Sequence, residues 1–195
     1  RFRKQLPCRP EGGREERRVM LLKYERITLR NAGAADAAQL AAWWNDGALM
    51  AHAGFPNGTG QTPESVAADI RKDADGVHRR LIIELDGRPV GEMMYENLGD
   101  GTAEIGIKIC DASEQEKGWG KIALSLLIAA LFRELGFRKV ILDTDVQNKR
   151  AQHVYERLGF RRARVRENAW RDQLGQMRSY VDYEVIPEYF INFAE

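Results

Sequence analysis

A strand, a glycine-rich loop and a long helix follow one another without interruption in the middle of the chain. Apolar and polar residues alternate strictly over Ala103–Cys110, as they do in a strand with one buried face. The loop Gln115–Gly120 comes next and opens an amphipathic helix that begins near Lys121 and ends at Gly136. The loop's glycines let backbone amides approach an anion, and a helix N-terminus adds unsatisfied N–H groups and the positive end of its dipole. The segment therefore predicts a pyrophosphate site, although a plain tight turn would explain the glycines alone equally well.

The rest of the chain alternates predicted strands and helices. The clearest unit is a hairpin in which the runs at 81–85 and 88–96 are joined by the turn Asp86-Gly87. Further strands are predicted at 27–30, 139–146, 162–167 and 179–185, and helices begin at Asp36, Thr62-Pro63 and Asn148. The glycine-rich stretch 45–61 is predicted to be a loop. This order indicates a single α/β (α+β) domain, a mixed sheet with helices packed on its faces.

Composition excludes several classes of protein. The 195 residues suffice for one domain with a full hydrophobic core, and a net charge of +1 gives no reason to expect nucleic acid as a partner. No apolar run approaches the roughly 18 residues of a membrane span, so no membrane association is expected. Cys8 and Cys110 form no CxxC pair, and the three histidines have no metal-ligand spacing. We expect a soluble, cytoplasmic protein without a metal.

The first residues differ in composition from the rest of the chain. Arg1–Arg18 is dense in charge, glycine and proline, and it lacks the apolar centre of a secretory signal. We expect residues 1–19 to be a disordered extension or a vector remnant. Met20 is then a plausible start, and 20–195 is the folded domain.

Two motifs resemble those of the GNAT superfamily of N-acetyltransferases. Gln115–Gly120 matches the family's Q/R-x-x-G-x-G/A signature for acyl-CoA, and Asn148–Phe160 matches its N-x-x-A-x-x-x-Y-E-x-x-G-F pattern. The motifs occur in the right order at the right spacing, and the similarity covers roughly Ile27 to Val185. The Ala-Glu-Ile-Gly-Ile strand and the tryptophan-bearing first helix are most similar to the branch that acetylates the N-termini of ribosomal proteins.

The resemblance implies a fold, a co-substrate and the residues that bind it. The fold would be the GNAT fold, a central mixed, mostly antiparallel sheet with helices on both faces. Acetyl-CoA is the implied co-substrate, with no metal. Its pantetheine arm would pair with the edge of the strand that carries Ile107, Lys108 and Ile109, and Asn148 would touch it. Backbone amides of the loop and helix start would hold the pyrophosphate, and this implied set is Gln115, Lys117, Gly118, Trp119, Gly120 and Lys121.

Each catalytic residue that the resemblance implies also has a purely structural explanation. An amine must lose a proton, attack the thioester carbonyl and expel a thiolate, and none of this requires a covalent nucleophile. The hydroxyl of Tyr155 would face the thioester sulfur as general acid, although a tyrosine on the apolar stripe of a helix is usually part of the core. Glu104 or Asp143 would act as the base, and either is otherwise an ordinary strand carboxylate. Because Asp143 stands where the ribosomal-protein alanine acetyltransferases carry a glutamate, a bridging water is expected there.

The acceptor side is implied by the end of the first helix and by the connection between the last two strands. By resemblance, Trp44, Asn45, Asp46 and Trp170 would wall the acceptor pocket, and packing in the core is the alternative for the tryptophans. The acceptor would be a primary amine, either of a small molecule or of a protein N-terminus. A homodimer is compatible with the pattern, which does not reveal the oligomeric state.

Two other functions compete with the enzyme. A catalytically silent acyl-CoA-binding regulatory domain would keep the loop and discard Tyr155 and the carboxylates, all of which are present. A nucleotide-phosphate-binding module needs a lysine followed by serine or threonine after the loop, and Lys121-Ile122 does not continue that pattern. The sequence therefore favours an acetyl-CoA-dependent N-acetyltransferase.

Overall fold

Eight strands form one sheet in the computed structural model, which describes residues 20–195. The strands are β1 (Leu21–Tyr24), β2 (Ile27–Asn31), β3 (His78–Leu85), β4 (Arg88–Gly99), β5 (Thr102–Ile109), β6 (Lys139–Asp145), β7 (Arg161–Arg171) and β8 (Met177–Val185). The helices are α1 (Ala37–Asn45), α2 (Gly47–Met50), α3 (Pro63–Ile70), α4 (Trp119–Arg133) and α5 (Lys149–Arg157). The extension predicted at residues 1–19 lies outside the described residues.

The strand order in the sheet is β1-β2-β3-β4-β5-β6-β8-β7. β5 and β6 run parallel, and every other neighbouring pair is antiparallel. A parallel pair needs a long crossover connection, and α4 supplies it between these two strands. The predicted α/β class, with a mixed and mostly antiparallel sheet, is confirmed.

The sheet forks where β5 meets β6. These two strands pair only through Thr102–Glu104 and Lys139–Ile141, and beyond those residues no register joins them. β5 stays paired with β4 as far as Ile109, and β6 stays paired with β8 as far as Asp145. The inner edge of each strand is therefore left without a strand partner along the second half of its length.

Helices cover both faces of the sheet, as predicted. One core, which contains Leu124, Ile128 and Leu158, packs α4 and α5 against the sheet. A smaller core, which contains Leu40 and Val66, packs α1 and α3 against the opposite face. No helix within residues 20–195 is both long and apolar enough to cross a bilayer.

The sequence analysis missed two short elements and misplaced the start of one helix. β1 pairs with β2 through a tight turn at Glu25-Arg26, which carries neither glycine nor asparagine to announce it. α2 lies inside the stretch predicted as a loop, because the Asp46 side chain accepts hydrogen bonds from the N–H groups of Ala48 and Leu49 and caps a helix there. α4 begins at Trp119, so its first turn lies within the glycine-rich loop.

Candidate active site

A cavity of about 1050 Å³ runs through the fork between β5 and β6. Because it passes from one face of the sheet to the other, side chains from both faces line the same space. Its lining comes from the second half of β5, the end of β6, the N-terminal turns of α4 and α5, and the segment around α2. The sequence-predicted residues in this lining are Trp44, Glu104, Ile107, Lys108, Ile109, Gln115, Gly120, Asp143, Asn148 and Tyr155.

The unpaired edge of β5 forms one wall of this cavity. Ile107 and Ile109 alternate with Lys108, and all three are half-buried, whereas Ala103 and Ile105 earlier in the strand are buried. β5 pairs with β4 along its whole length, so the edge that faces β6 is the one left without a strand partner beyond Glu104. An extended ligand that carries amide groups can pair with such an edge as an added strand would.

The loop before α4 presents backbone groups to the far end of the same cavity. The side-chain amide of Gln115 donates a 2.9 Å hydrogen bond to the carbonyl of Ile109, which fixes the loop to the end of β5. The first hydrogen bonds of α4 are donated by Lys121 and Ile122, both to the carbonyl of Gly118. The amides before Lys121 are those that a helix N-terminus leaves available, and they favour an anion.

Gly120 is a glycine that the fold itself does not require. A Cβ added there would meet only Ile109 and Ile107, at 3.8 and 3.9 Å, which is ordinary van der Waals contact. Within a helix, glycine costs about 1 kcal/mol relative to alanine. A ligand that approaches the helix backbone closely would account for the choice.

Three charged or aromatic side chains of this predicted set lie away from the cavity. The side chains of Lys117 and Trp119 both donate to Glu114, at 3.1 and 3.2 Å. The Lys121 ammonium lies 3.9 Å from the ring centroid of Phe193. These three side chains therefore supply no charge to the cavity lining, and an anion there would meet the backbone of the loop and helix start.

The sequence analysis missed two cations at this end of the cavity. Lys149 and Arg150, in the first turn of α5, both line it. Arg150 lies 3.4 Å from the carboxylate of Glu116 across the cavity mouth. The two residues carry no motif of their own, because the family pattern leaves both positions free, so the signal was only their place beside Asn148.

Tyr155 lies on α5 at the point where the fork opens. Asn148 begins the helix by accepting a hydrogen bond from the N–H of Ala151, as predicted for an N-cap. Tyr155 is 7% exposed, and its ring packs edge-on against Tyr183 at 5.6 Å between centroids. Its hydroxyl has no hydrogen-bond partner within residues 20–195, although Tyr155 lines the cavity. Burial, together with the nearby Asp143 carboxylate, raises the pKa of Tyr155, so this hydroxyl keeps its proton at neutral pH.

Glu104 and Asp143 approach the same space from adjacent strands, but their surroundings differ. Asp143 forms an ion pair with Arg166, which also contacts Asp182 at 2.7 Å. Glu104 has no hydrogen bond or ion pair through its side chain within the described part of the chain. Burial, and then the charge of Asp143, raises the pKa of Glu104. Burial also raises the pKa of Asp143, and Arg166 opposes that shift.

A half-buried carboxylate that was not predicted from the sequence lies in the acceptor-side wall. Glu92 on β4 accepts a 2.7 Å hydrogen bond from the indole N–H of Trp44, and its carboxylate lies 3.8 Å from the Lys108 ammonium. Burial raises the pKa of Glu92, and Lys108 opposes the shift. The available signal was the cross-strand register, because Glu92 and Lys108 face each other on neighbouring strands.

The other predicted acceptor-side residues lie outside the cavity lining and contact neighbouring loop residues. Asn45 binds both the N–H and the carbonyl of Gln61, and Asp46 caps α2. Trp170 was expected in the connection between the last two strands, but it lies in β7, because pairing with β8 extends that strand to Arg171. Its ring packs on Phe55, with ring centroids 5.5 Å apart. These three residues are absent from the cavity lining, so Trp44 alone of the four predicted acceptor-side residues reaches the space.

Comparisons with known proteins bear on the family and the fold of the chain. A family model described as an acetyltransferase (GNAT) domain matches residues 26–161. The spermidine N(1)-acetyltransferase of Escherichia coli (strain K12) is 34% identical over 88 residues, which are 44% of this chain and 47% of that protein. The chain thus matches about half the length of that curated relative.

Two solved structures illustrate the fold. A spermidine N-acetyltransferase from Vibrio cholerae, in complex with CoA and spermine, superposes with a TM-score of 0.77 at 19% identity, over 86% of this chain and 99% of that one. A ribosomal-protein-S5-alanine acetyltransferase from Vibrio fischeri gives a TM-score of 0.74 at 15% identity, over 88% and 99%. At such identities the structures establish the shared fold and leave the acceptor open.

Proposed function

The chain belongs to the acetyltransferase (GNAT) family, and from that premise we propose that it transfers the acetyl group of acetyl-CoA directly to a primary amine. The observation that carries this proposal is the fork. The unpaired edge of β5, the start of α4 and the hydroxyl of Tyr155 all border this opening. Glu104, whose carboxylate has no ion-pair partner among the described residues, borders it from the opposite face of the sheet. Such a passage brings a thioester and an amine together from opposite faces.

The residues present fit acetyl-CoA as the co-substrate. Its pantetheine amides match the free edge of β5 at Ile107 and Ile109, and its pyrophosphate matches the amides that lead into α4. With no Cβ at Gly120, the phosphates can approach the backbone of the helix start closely. Lys149 and Arg150 supply positive charge at the same mouth of the cavity.

The chemistry assigns one role to each face of the sheet. Glu104 takes a proton from the bound ammonium, directly or through a water, and the nitrogen lone pair attacks the thioester carbon. The carbon–sulfur bond then breaks, and Tyr155 donates its proton to the departing thiolate. The nitrogen loses a second proton as the amide forms, which restores the Tyr155 hydroxyl, and Glu104 releases the first proton to solvent. Ammonium and thioester thus give amide, thiol and one released proton. General acid and general base each contribute typically about 10²–10⁴-fold, and juxtaposition of the two substrates supplies much of the remaining rate enhancement.

Glu104 is a better candidate for the base than Asp143. Arg166 occupies the Asp143 carboxylate, and abstraction of a proton there would require that ion pair to loosen. Glu104 is free of such a partner, and its raised pKa makes it a stronger base. We assign Asp143 the role of an electrostatic neighbour that keeps the pKa of Glu104 high.

The acceptor in this proposal is a primary amine of a small molecule or of a protein N-terminus. The relatives named above include a polyamine acetyltransferase and a ribosomal-protein acetyltransferase, so the resemblance to the ribosomal branch remains one of two candidates. Glu104, Asp143 and Asp145 line the cavity in which the transfer is proposed, and their carboxylates favour an acceptor that binds as a cation.

Binding and turnover together test the proposal. We expect acetyl-CoA to raise the Tm of the protein and ATP at the same concentration to leave it nearly unchanged. A thiol-release assay over a panel of polyamines, amino acids and ribosomal-protein N-terminal peptides should then give turnover with at least one amine. Stabilisation by acetyl-CoA without turnover of any amine would instead support a silent acyl-CoA-binding domain.

A further inference from the structure

Two parts of the chain that lie on opposite sides of the fork meet above the acceptor side of the cavity. The segment 46–61, which contains α2, belongs to the half of the sheet that ends in β5, since α1 and α3 pack there. The turn 172–176 joins β7 to β8 and belongs to the half that begins with β6. Their contact therefore spans the gap that the separated strands leave open.

We call this contact the clasp and define it by Gly54, Phe55, Trp170 and Gln173, with the backbone at 57 and 58. Gln173 makes three hydrogen bonds across it. Its N–H donates to the carbonyl of Gly54 at 3.3 Å. Its side chain accepts from the N–H of residue 57 at 2.9 Å and donates to the carbonyl of residue 58 at 2.8 Å. One side chain thus bonds the segment in both directions.

Trp170 completes the clasp by packing where only a glycine fits. Gly54 has φ +84°, and a Cβ placed on it would lie 1.7 Å from the Trp170 ring. The Phe55 ring also packs on the indole, with 5.5 Å between the ring centroids. A side chain at position 54 would both strain the backbone and displace the indole, so this glycine allows the close approach.

The turn itself is held rigidly. The Asp172 carboxylate accepts hydrogen bonds from the N–H groups of Leu174 and Gln176 and from the Arg178 guanidinium, at 2.9 Å each. Arg178 also contacts Asp145, which lines the cavity, at 3.4 Å. The turn that carries Gln173 is therefore connected to the cavity wall through Arg178 and Asp145.

We propose that the clasp closes the acceptor side into a passage that admits amines on slender, flexible chains and rejects amines on rigid rings or folded surfaces. This inference rests on the proposed function and deepens it. Leu49 and Ala53 on one side of the fork and Asp145 and Tyr180 on the other line the cavity, and Ala53 directly precedes the clasp residue Gly54. An acceptor has to pass between the two sides of the fork to reach Glu104 and Tyr155, and the clasp keeps these two sides from separating.

The test compares two amines in the same protein preparation. The probes are 1,4-diaminobutane, which is slender, and a 2-deoxystreptamine aminoglycoside, whose amines sit on rigid rings. We expect the wild type to prefer the diamine in kcat/KM. In Gln173→Ala and in Trp170→Ala, the aminoglycoside should gain about 10-fold or more relative to the diamine, with the KM for acetyl-CoA unchanged. Because the readout is a ratio within one preparation, it does not depend on the fraction of folded protein.

Leu174→Ala is the matched control, since Leu174 lies in the same turn, is 58% exposed and takes no part in the clasp. Its ratio should equal that of the wild type. An unchanged ratio in both clasp variants, or a wild type that acetylates both amines equally well, would overturn the inference and leave the acetyltransferase proposal standing. Failure of every amine in the wild type would instead count against the proposed function itself.

Discussion

Tyr155 is the residue in which packing and chemistry are most closely combined. Its ring contacts Tyr183 and Phe160, so it serves the core as well as the cavity. Tyr155→Phe keeps the ring and deletes the hydroxyl that donates the proton. We expect kcat to fall by roughly 10–10³-fold, or about 1.4–4 kcal/mol, with acetyl-CoA affinity near that of the wild type. Steady-state kinetics with calorimetric titration measure both quantities, and a full kcat in the variant would leave Tyr155 a purely structural residue.

Substitution of Glu104 and substitution of Asp143 should change the pH–rate profile in different ways. Glu104 must be deprotonated to accept a proton, and burial raises its pKa, so activity is lost as pH falls through that raised value. Glu104→Gln should lower kcat by about 10²-fold or more and remove this acidic limb from the pH–rate profile. Asp143→Asn should keep the limb and shift it to lower pH, because Asp143 contributes to the raised pKa of Glu104.

The profile of kcat/KM against pH for both variants measures this assignment directly. Because the proposed acceptor binds as an ammonium, its own deprotonation in solution lowers kcat/KM at alkaline pH, and all forms should share that side of the profile. If the acidic limb instead persists in Glu104→Gln and disappears in Asp143→Asn, Asp143 is the base and Glu104 is its electrostatic neighbour.

Some single residues could be predicted from the sequence and others could not. Tyr155, Asn148 and Glu104 follow from motif and strand position, and the structure brings them to one cavity. Glu92 and Gln173 were missed because their partners, Trp44 and the segment after α2, lie far away in the chain. Asn45 and Asp46 were predicted to face the acceptor, but local hydrogen bonds turn them toward their own loop.

At the scale of elements, the loop that opens α4 carries the prediction about the co-substrate. Gly120→Asp places a side chain and a negative charge where the pyrophosphate is proposed to bind. We expect acetyl-CoA affinity to drop by about 10²-fold or more, with the fold retained because an added Cβ would make only ordinary van der Waals contacts with Ile107 and Ile109.

Two further variants separate the causes in this test. Gly120→Ala adds only a methyl group, and its weaker effect would measure sterics without charge. Lys121→Ala should leave affinity nearly unchanged, because that ammonium lies on Phe193 and not in the cavity. Circular dichroism and calorimetric titration provide the readouts, and wild-type affinity in a folded Gly120→Asp protein would refute the phosphate site.

Elements with strong local signals were predictable, and those fixed by tertiary contacts were not. The turn Asp86-Gly87 and the cap at Thr62 are in place, because each depends on residues within one turn of the chain. β1 escaped prediction because its short run gains its order mainly from pairing with β2. The fork also carries no local signal, since it depends on how far β5 and β6 stay in register.

For the whole molecule, the account predicts direct transfer within a ternary complex. The cavity lining contains neither cysteine nor serine among the described residues, and Cys110 is buried, with its pKa raised by burial to about 12. The lining therefore offers no thiol and no serine hydroxyl to hold the acetyl group between two half-reactions. In the proposed mechanism, both substrates occupy the fork together before the acetyl group moves.

Initial rates over a grid of acetyl-CoA and amine concentrations test this central claim most directly. Using the best amine from the thiol-release panel, we predict intersecting double-reciprocal lines and one thiol released per acetylated amine. No thiol should appear when the amine is left out. Parallel lines, together with a stable increase in protein mass of one acetyl group after exposure to acetyl-CoA alone, would show a covalent intermediate and contradict direct transfer at the fork.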